Sequence, residues 1–302
     1  MNLLQSLEPL YSVSGFAVGL LVGMTGVGGG SLMTPSLILL FGIPPAIAVG
    51  TDLLHASATK TGGTLIHGLS GTIDWHIVRR LALGSVPTSI VALFVLSLLD
   101  IRGATARILI TALVAGALFL TALVLIGRER IRKRYAARVG SLDPRHTAIL
   151  TLGVGAALGA FVSLTSVGAG AIGVTALVLL YPQRPVARIV GSDIAHAVPL
   201  TLVSGFGHWL IDTIDWKVFG SLLVGSLPGI IVGSLFAVRI SEAALRLGLA
   251  AVLIVVAANY QWMSARFRFL ALLLFNRTFH CSVSCIRLRF RGPHPVLTGQ
   301  VA

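Results

Sequence analysis

The chain is short of charge. Of its 302 residues, 11% are Asp, Glu, Lys or Arg, and only ten are acidic. An ordinary soluble domain carries about 25%, so that class is excluded. Cysteine is nearly absent too: Cys281 and Cys285 stand alone near the C-terminus. One C-x3-C pair supplies neither a disulfide framework nor a four-cysteine metal site. No Lys or Arg precedes Lys60, so the basic n-region of a cleavable signal peptide is missing, and a membrane domain is expected from the start. No H-E-x-x-H motif occurs, which leaves a metal-dependent intramembrane hydrolase without its signature.

What remains is hydrophobic: 55% of residues, with a mean hydropathy of +0.93. The apolar stretches are long windows, not alternating ten-residue segments, and so indicate spanning helices instead of a barrel. The windows run approximately 10–24, 31–42, 45–67, 76–99 and 104–126, then 147–164, 171–182, 185–208, 217–239 and 241–260. Between the two sets lies a basic stretch holding Arg128, Arg130, Arg132, Lys133, Arg134, Arg138 and Arg145. The expected organisation is therefore a membrane repeat over 1–126, a basic cytoplasmic linker over 127–146, a second repeat over 147–260 and a basic tail over 261–302. The tail fits no topology and receives no function.

The second half copies the first. Gly50-Thr51-Asp52-Leu53-Leu54-His55 returns as Gly191-Ser192-Asp193-Ile194-Ala195-His196 at a shift of 141. His67, Thr72-Ile73-Asp74-Trp75 and Gly84-Ser85-Val86-Pro87 return at the same shift as His208, Thr213-Ile214-Asp215-Trp216 and Gly225-Ser226-Leu227-Pro228. The fold class expected is an all-α polytopic membrane protein of two homologous repeats, each with four or five helical segments.

Charge orients them. With the basic linker in the cytoplasm, Arg79, Arg80, Arg184, Arg188, Arg239 and Arg246 join it inside, and Arg102, Arg107 and Lys217 remain outside. This satisfies the positive-inside rule and makes the repeats inverted. Windows 10–24 and 31–42 are short for full spans and suit a re-entrant hairpin. One discontinuous helix over 10–42 is the alternative, and would make the repeats parallel.

Each half opens on an uncharged run, Tyr11 to Thr51 and Thr147 to Gln183, that is broken by glycine. The first break is Thr25-Gly26-Val27-Gly28-Gly29-Gly30-Ser31 and the second Thr165-Ser166-Val167-Gly168-Ala169-Gly170. Each glycine costs a helix roughly 1 kcal/mol against alanine. Broken backbone inside a membrane is tolerated only beside protein or a cavity. Paired breaks in two halves point to a transporter binding site. Free N–H groups at helix starts make an anion site, with Thr25, Ser31, Thr165 and Ser166 adding hydroxyls to Gly26, Gly28, Gly29, Gly30, Gly168 and Gly170. Close helix packing is the competing role for these glycines.

Asp52 with His55, and Asp193 with His196, share a helix face at i, i+3 spacing. Ionisable groups in apolar windows face cavities or proton paths, or else cap and brace neighbouring helices. A carboxylate repels an anion, so orienting the histidine or accepting a coupled proton is the expected role. Lys60 either supplies a cation to the substrate or snorkels to the interface. The T-I-D-W motifs read as interfacial anchors with a capping aspartate, and the G-S-x-P motifs as kinks.

In combination, the T-G-V-G-G-G break, Pro44-Pro45 ahead of Gly50-Thr51-Asp52, and the duplicated T-I-D-W and G-S-x-P motifs resemble the TauE/SafE family of sulfite exporters and organosulfonate permeases. The resemblance covers residue 11 to about 260, although Ser166 and Ala169 replace two glycines in the second half. It implies inner-membrane transport of sulfite, sulfoacetate or related sulfur-containing anions. A negative cell interior drives such anions outward, so export by alternating access is the expected function. The partners expected are the small anion, the bilayer and another copy of the chain, with no cofactor, metal or nucleic acid. A passive anion channel and, more remotely, a membrane-embedded enzyme built on the Asp and His residues are the competing functions.

Overall fold

A computed structural model describes residues 8–25, 30–99, 103–139 and 143–237. The chain divides into a unit spanning Met1–Tyr260 and a second, Gln261–Ala302. That second unit lies outside the described residues, as do the window at 241–260 and both cysteines. Every described element is helical: α1 (Pro9–Thr25), α2 (Gly30–Leu39), α3 (Pro45–Leu69), α4 (Trp75–Ser97), α5 (Ala104–Val139), α6 (Pro144–Thr165), α7 (Ala171–Leu180), α8 (Val186–Leu210) and α9 (Trp216–Ala237). The chain is an all-α polytopic membrane protein. Five of these segments are long and apolar enough to cross a bilayer: Trp75–Ser97, Thr105–Gly127, Pro144–Thr165, Val186–Leu210 and Trp216–Gly233. Leu83, Ile90, Val91 and Phe94 on α4 are exposed, as a lipid-facing surface requires.

Local chemistry sets the helix ends. Asp74 caps α4 by accepting a hydrogen bond from the His76 amide at 3.2 Å. Asp215 does the same for α9, taking the amides of Lys217 at 3.0 Å and Val218 at 3.1 Å. Where α3 and α8 end, the chain turns through left-handed residues, Gly71 (φ 63°) and Asp212 (φ 56°). Each turn is closed by a histidine: His67 Nδ1 lies 2.8 Å from Thr72 Oγ1, and His208 Nδ1 lies 2.8 Å from Thr213 Oγ1. His208 is 1% exposed, so its ring is buried within the protein. Helix α5 runs on to Val139, well past the apolar window at 104–126, so most of the basic linker is helical.

Contacts recur at the spacing of the sequence repeat, with the halves exchanged. A Cβ at Gly15 would meet Leu222 O of α9 at 2.7 Å, and one at Gly155 would overlap Leu81 O of α4. Small residues thus let α1 lie backbone to backbone on α9, and α6 on α4. Ser192 Oγ accepts from the Asp74 amide at 2.8 Å, and Thr51 Oγ1 from the Asp215 amide at 3.0 Å. Gly50, early in α3, packs on His208 and Thr213 beyond the end of α8; Gly191, early in α8, packs on His67 and Thr72 beyond the end of α3. Helices α3 and α8 therefore run antiparallel side by side.

Candidate functional site

The short helices α2 and α7 have 10 residues each. At 1.5 Å per residue each is about 15 Å long, half the hydrocarbon thickness of a bilayer. Their N-termini are the glycine breaks. In the second half, α6 ends at Thr165 and Ser166 forms a left-handed cap (φ 58°). Gly168 follows with a φ of 107°, a conformation that favours glycine, and Gly170 caps α7. In the first half, α1 ends at Thr25 and α2 begins at Gly30. Gly26, Gly28, Gly29 and the Thr25 side chain lie outside the described residues. The two breaks meet: a Cβ on Gly30 would overlap the Ser166 carbonyl oxygen.

Around that meeting point is a cavity of about 10 Å³ lined by Gly30, Ser31, Lys60, Thr121, Ser166, Gly168, Ala169, Gly170 and Ala171. It brings together Lys60 from α3 and helix starts from both halves, with Lys60 the sole cation among the lining residues. The volume holds about one water molecule and is too small for an oxyanion. Thr165 is not part of it. Its hydroxyl donates to Phe161 O at 2.7 Å and accepts from the Val167 amide at 3.2 Å, so the helix end has consumed it. A larger cleft of about 350 Å³ opens elsewhere, between Pro44–Ile47, Arg107 and Ile110 of α5, and Ile211–Thr213. Its charged lining residues are Arg107 and Asp212, one of each sign.

Asp52 stands directly behind the cavity and is fully buried. Its Oδ2 accepts from Thr34 Oγ1 at 2.6 Å and from Ser166 Oγ at 2.9 Å. Asp52 Oδ1 lies 3.8 Å from His55 Nδ1. The far nitrogen of His55, Nε2, is 2.7 Å from Ser226 Oγ of α9; His196 Nε2 is likewise 2.8 Å from Ser85 Oγ of α4. The inner atoms of these pairs, Asp52 Oδ1, His55 Nδ1, Asp193 Oδ1 and His196 Nδ1, are buried and have no hydrogen-bond partner among the described residues. Lys60 is within electrostatic reach of both Asp193 and Asp52. Among the described residues, no three His, Cys, Asp or Glu side chains come together closely enough to hold a metal ion.

Several participants escape sequence reasoning. The G-S-x-P motifs do place Pro87 and Pro228 inside helices, but their serines also hold the histidines of the opposite half. The duplicated serine was the available signal. Thr34 and Thr121 carry none beyond a hydroxyl in an apolar run.

The family model described as "Sulfite exporter TauE/SafE" matches residues 11–260. The chain belongs to the TauE/SafE family. It is 36% identical over 242 residues to "Probable membrane transporter protein YjnA" of Bacillus subtilis (strain 168), covering 80% of this chain and 94% of that protein. Identity to "Probable membrane transporter protein YdhB" of the same organism is 28% over 221 residues, covering 73% of this chain and 86% of the relative. A "Probable membrane transporter protein" of Xylella fastidiosa (strain 9a5c) shares 26% over 234 residues, covering 76% and 84%. No solved structure matches the chain. The protein is a membrane transporter of the TauE/SafE family.

Proposed function

We propose that this transporter carries small sulfur-containing anions, sulfite or organosulfonates, out across the bacterial inner membrane by alternating access. One observation supports this reading above the rest: two helix N-termini from opposite halves meet beside Lys60 at a small cavity. Helix starts present unpaired N–H groups and partial positive charge, and a lysine in a low-dielectric site adds a full one. At this volume the site admits no oxyanion, so binding requires it to widen, as the motion of a carrier would do.

The antiparallel course of α3 and α8, with contacts exchanged between halves, supports an inverted repeat whose axis lies in the membrane plane. Asp74 Oδ2 and Arg184 Nη2, 3.3 Å apart, join the two loops that the basic linker assigns to the cytoplasm. Export needs no coupled ion. A membrane potential drives anions outward by about 2.3 kcal/mol per charge per 100 mV, or roughly 4–5 kcal/mol for a dianion. For uptake, the two Asp–His pairs are the groups that offer a proton site.

The test is flux of labelled sulfite in proteoliposomes, with sulfate, sulfoacetate and taurine as competitors, at set potentials. Saturable flux that responds to potential is the expected result. Flux linear in concentration with measurable conductance would indicate a channel, and no flux of any sulfur anion would overturn the substrate class.

A further inference from the structure

A threonine inside a helix ordinarily disposes of its hydroxyl by donating to the carbonyl four residues back. This protein does so repeatedly. Thr111, on α5, donates to Arg107 O at 2.7 Å. Thr151, Thr175 and Thr201 make the same bond to Thr147, Ala171 and Ala197, each at 2.7 Å. Thr121, ten residues after Thr111 on the same helix, does not. It is fully buried, and its Oγ1 is the one buried hydroxyl without a hydrogen-bond partner among the described residues. Burying an unpaired hydroxyl is unfavourable, and native structures keep such groups rare. Thr121 also lines the cavity where Lys60 meets the starts of α2 and α7.

We propose that Thr121 is a substrate-binding residue whose hydroxyl donates a hydrogen bond to the transported oxyanion. This rests on the anion-carrier reading and adds α5 to the site. The lining then draws on four helices: the starts of α2 and α7, where a helix offers N–H groups, Lys60 on α3 and Thr121 on α5. Such a mixed set of donors fits an anion with several acceptor oxygens around one centre, as in a sulfur oxyanion. A halide, lacking directed oxygens, is the poorer match.

Two substitutions in the full-length protein test this. Thr121→Val keeps the shape and removes the hydroxyl; Thr121→Ser keeps the hydroxyl. Each is purified and reconstituted, and KM and maximal rate for sulfite are measured beside the thermal midpoint with and without sulfite, with chloride as control. The expected result is a sulfite KM raised about tenfold or more in Thr121→Val. Its ligand-free midpoint should be equal to or above wild type, because an unpaired hydroxyl has gone, and Thr121→Ser should stay near wild type. An unchanged KM in Thr121→Val with wild-type flux intact would overturn the role of Thr121 alone. So would a lowered ligand-free midpoint with equal loss of flux in both variants, which marks a structural residue. Absence of saturable flux of any sulfur anion in wild type, sulfoacetate and taurine included, would overturn the anion site and Thr121 with it.

Discussion

Ser166 Oγ donates to Asp52 Oδ2 at 2.9 Å, tying the glycine break of the second half to a carboxylate of the first. Thr34 donates to the same oxygen at 2.6 Å. Hydrogen bonds to charged groups contribute about 1.5–3 kcal/mol each, and orphaned buried hydroxyls cost about 1–3 kcal/mol. Asp52→Ala should therefore destabilise the protein by about 3 kcal/mol or more, read as a lowered thermal midpoint in detergent. Asp52→Asn, whose amide oxygen still accepts, should lose less. If both variants melt with wild type, the carboxylate does not brace the break.

Gly30 and Gly116 should respond oppositely to the same substitution. A Cβ on Gly30 would overlap Ser166 O, whereas one on Gly116 has nothing within 4 Å. Gly30→Ala must push the two breaks apart and should abolish sulfite flux. Gly116→Ala removes a flexible residue from a helix and should be neutral, or stabilising by up to about 1 kcal/mol. Normal flux in Gly30→Ala would return the glycine to an ordinary packing role.

Much of this architecture is legible in one sequence because hydropathy measures burial in lipid directly. The windows at 45–67 and 185–208 match α3 and α8 to within two residues at each end, and the breaks fall where α2 and α7 start. Hydropathy reports where lipid ends, not where a helix ends, so the extension of α5 to Val139 through arginines and alanines is invisible to it. Side-chain roles fail for a different reason. Ser85 and Ser226 meet histidines 111 and 171 residues away, a pairing no local pattern encodes. Thr165 has the right residue type beside the right glycines, yet the carbonyl one turn back captures its hydroxyl.

The His55–Ser226 and His196–Ser85 pairs lead to a matched prediction. Each serine faces a buried ring nitrogen across the boundary between halves. Ser226→Ala and Ser85→Ala should each cost about 1–2 kcal/mol, with similar size because the pairs occupy equivalent positions. His55→Ala and His196→Ala separate bracing from proton relay. A relay predicts that the pH dependence of sulfite flux flattens in these variants. A scaled but unshifted profile assigns the histidines to bracing alone.

Lys60 can serve the substrate or merely neutralise the aspartates within its electrostatic reach, and one double substitution separates these roles. Lys60→Met removes the cation of the cavity lining and should lower sulfite flux at least tenfold under either role. Lys60→Arg should recover little, because a cavity of about 10 Å³ leaves no room for a longer planar group. Combined with Asp193→Asn, however, the loss of Lys60 no longer leaves that carboxylate uncompensated. If neutralisation is its whole purpose, Lys60→Met with Asp193→Asn should restore both the thermal midpoint and the flux. If Lys60 meets the anion, the midpoint recovers and the flux does not. The second outcome is expected, since Lys60 lines the cavity together with the starts of α2 and α7, where an arriving anion would add a charge that Asp193→Asn does not replace.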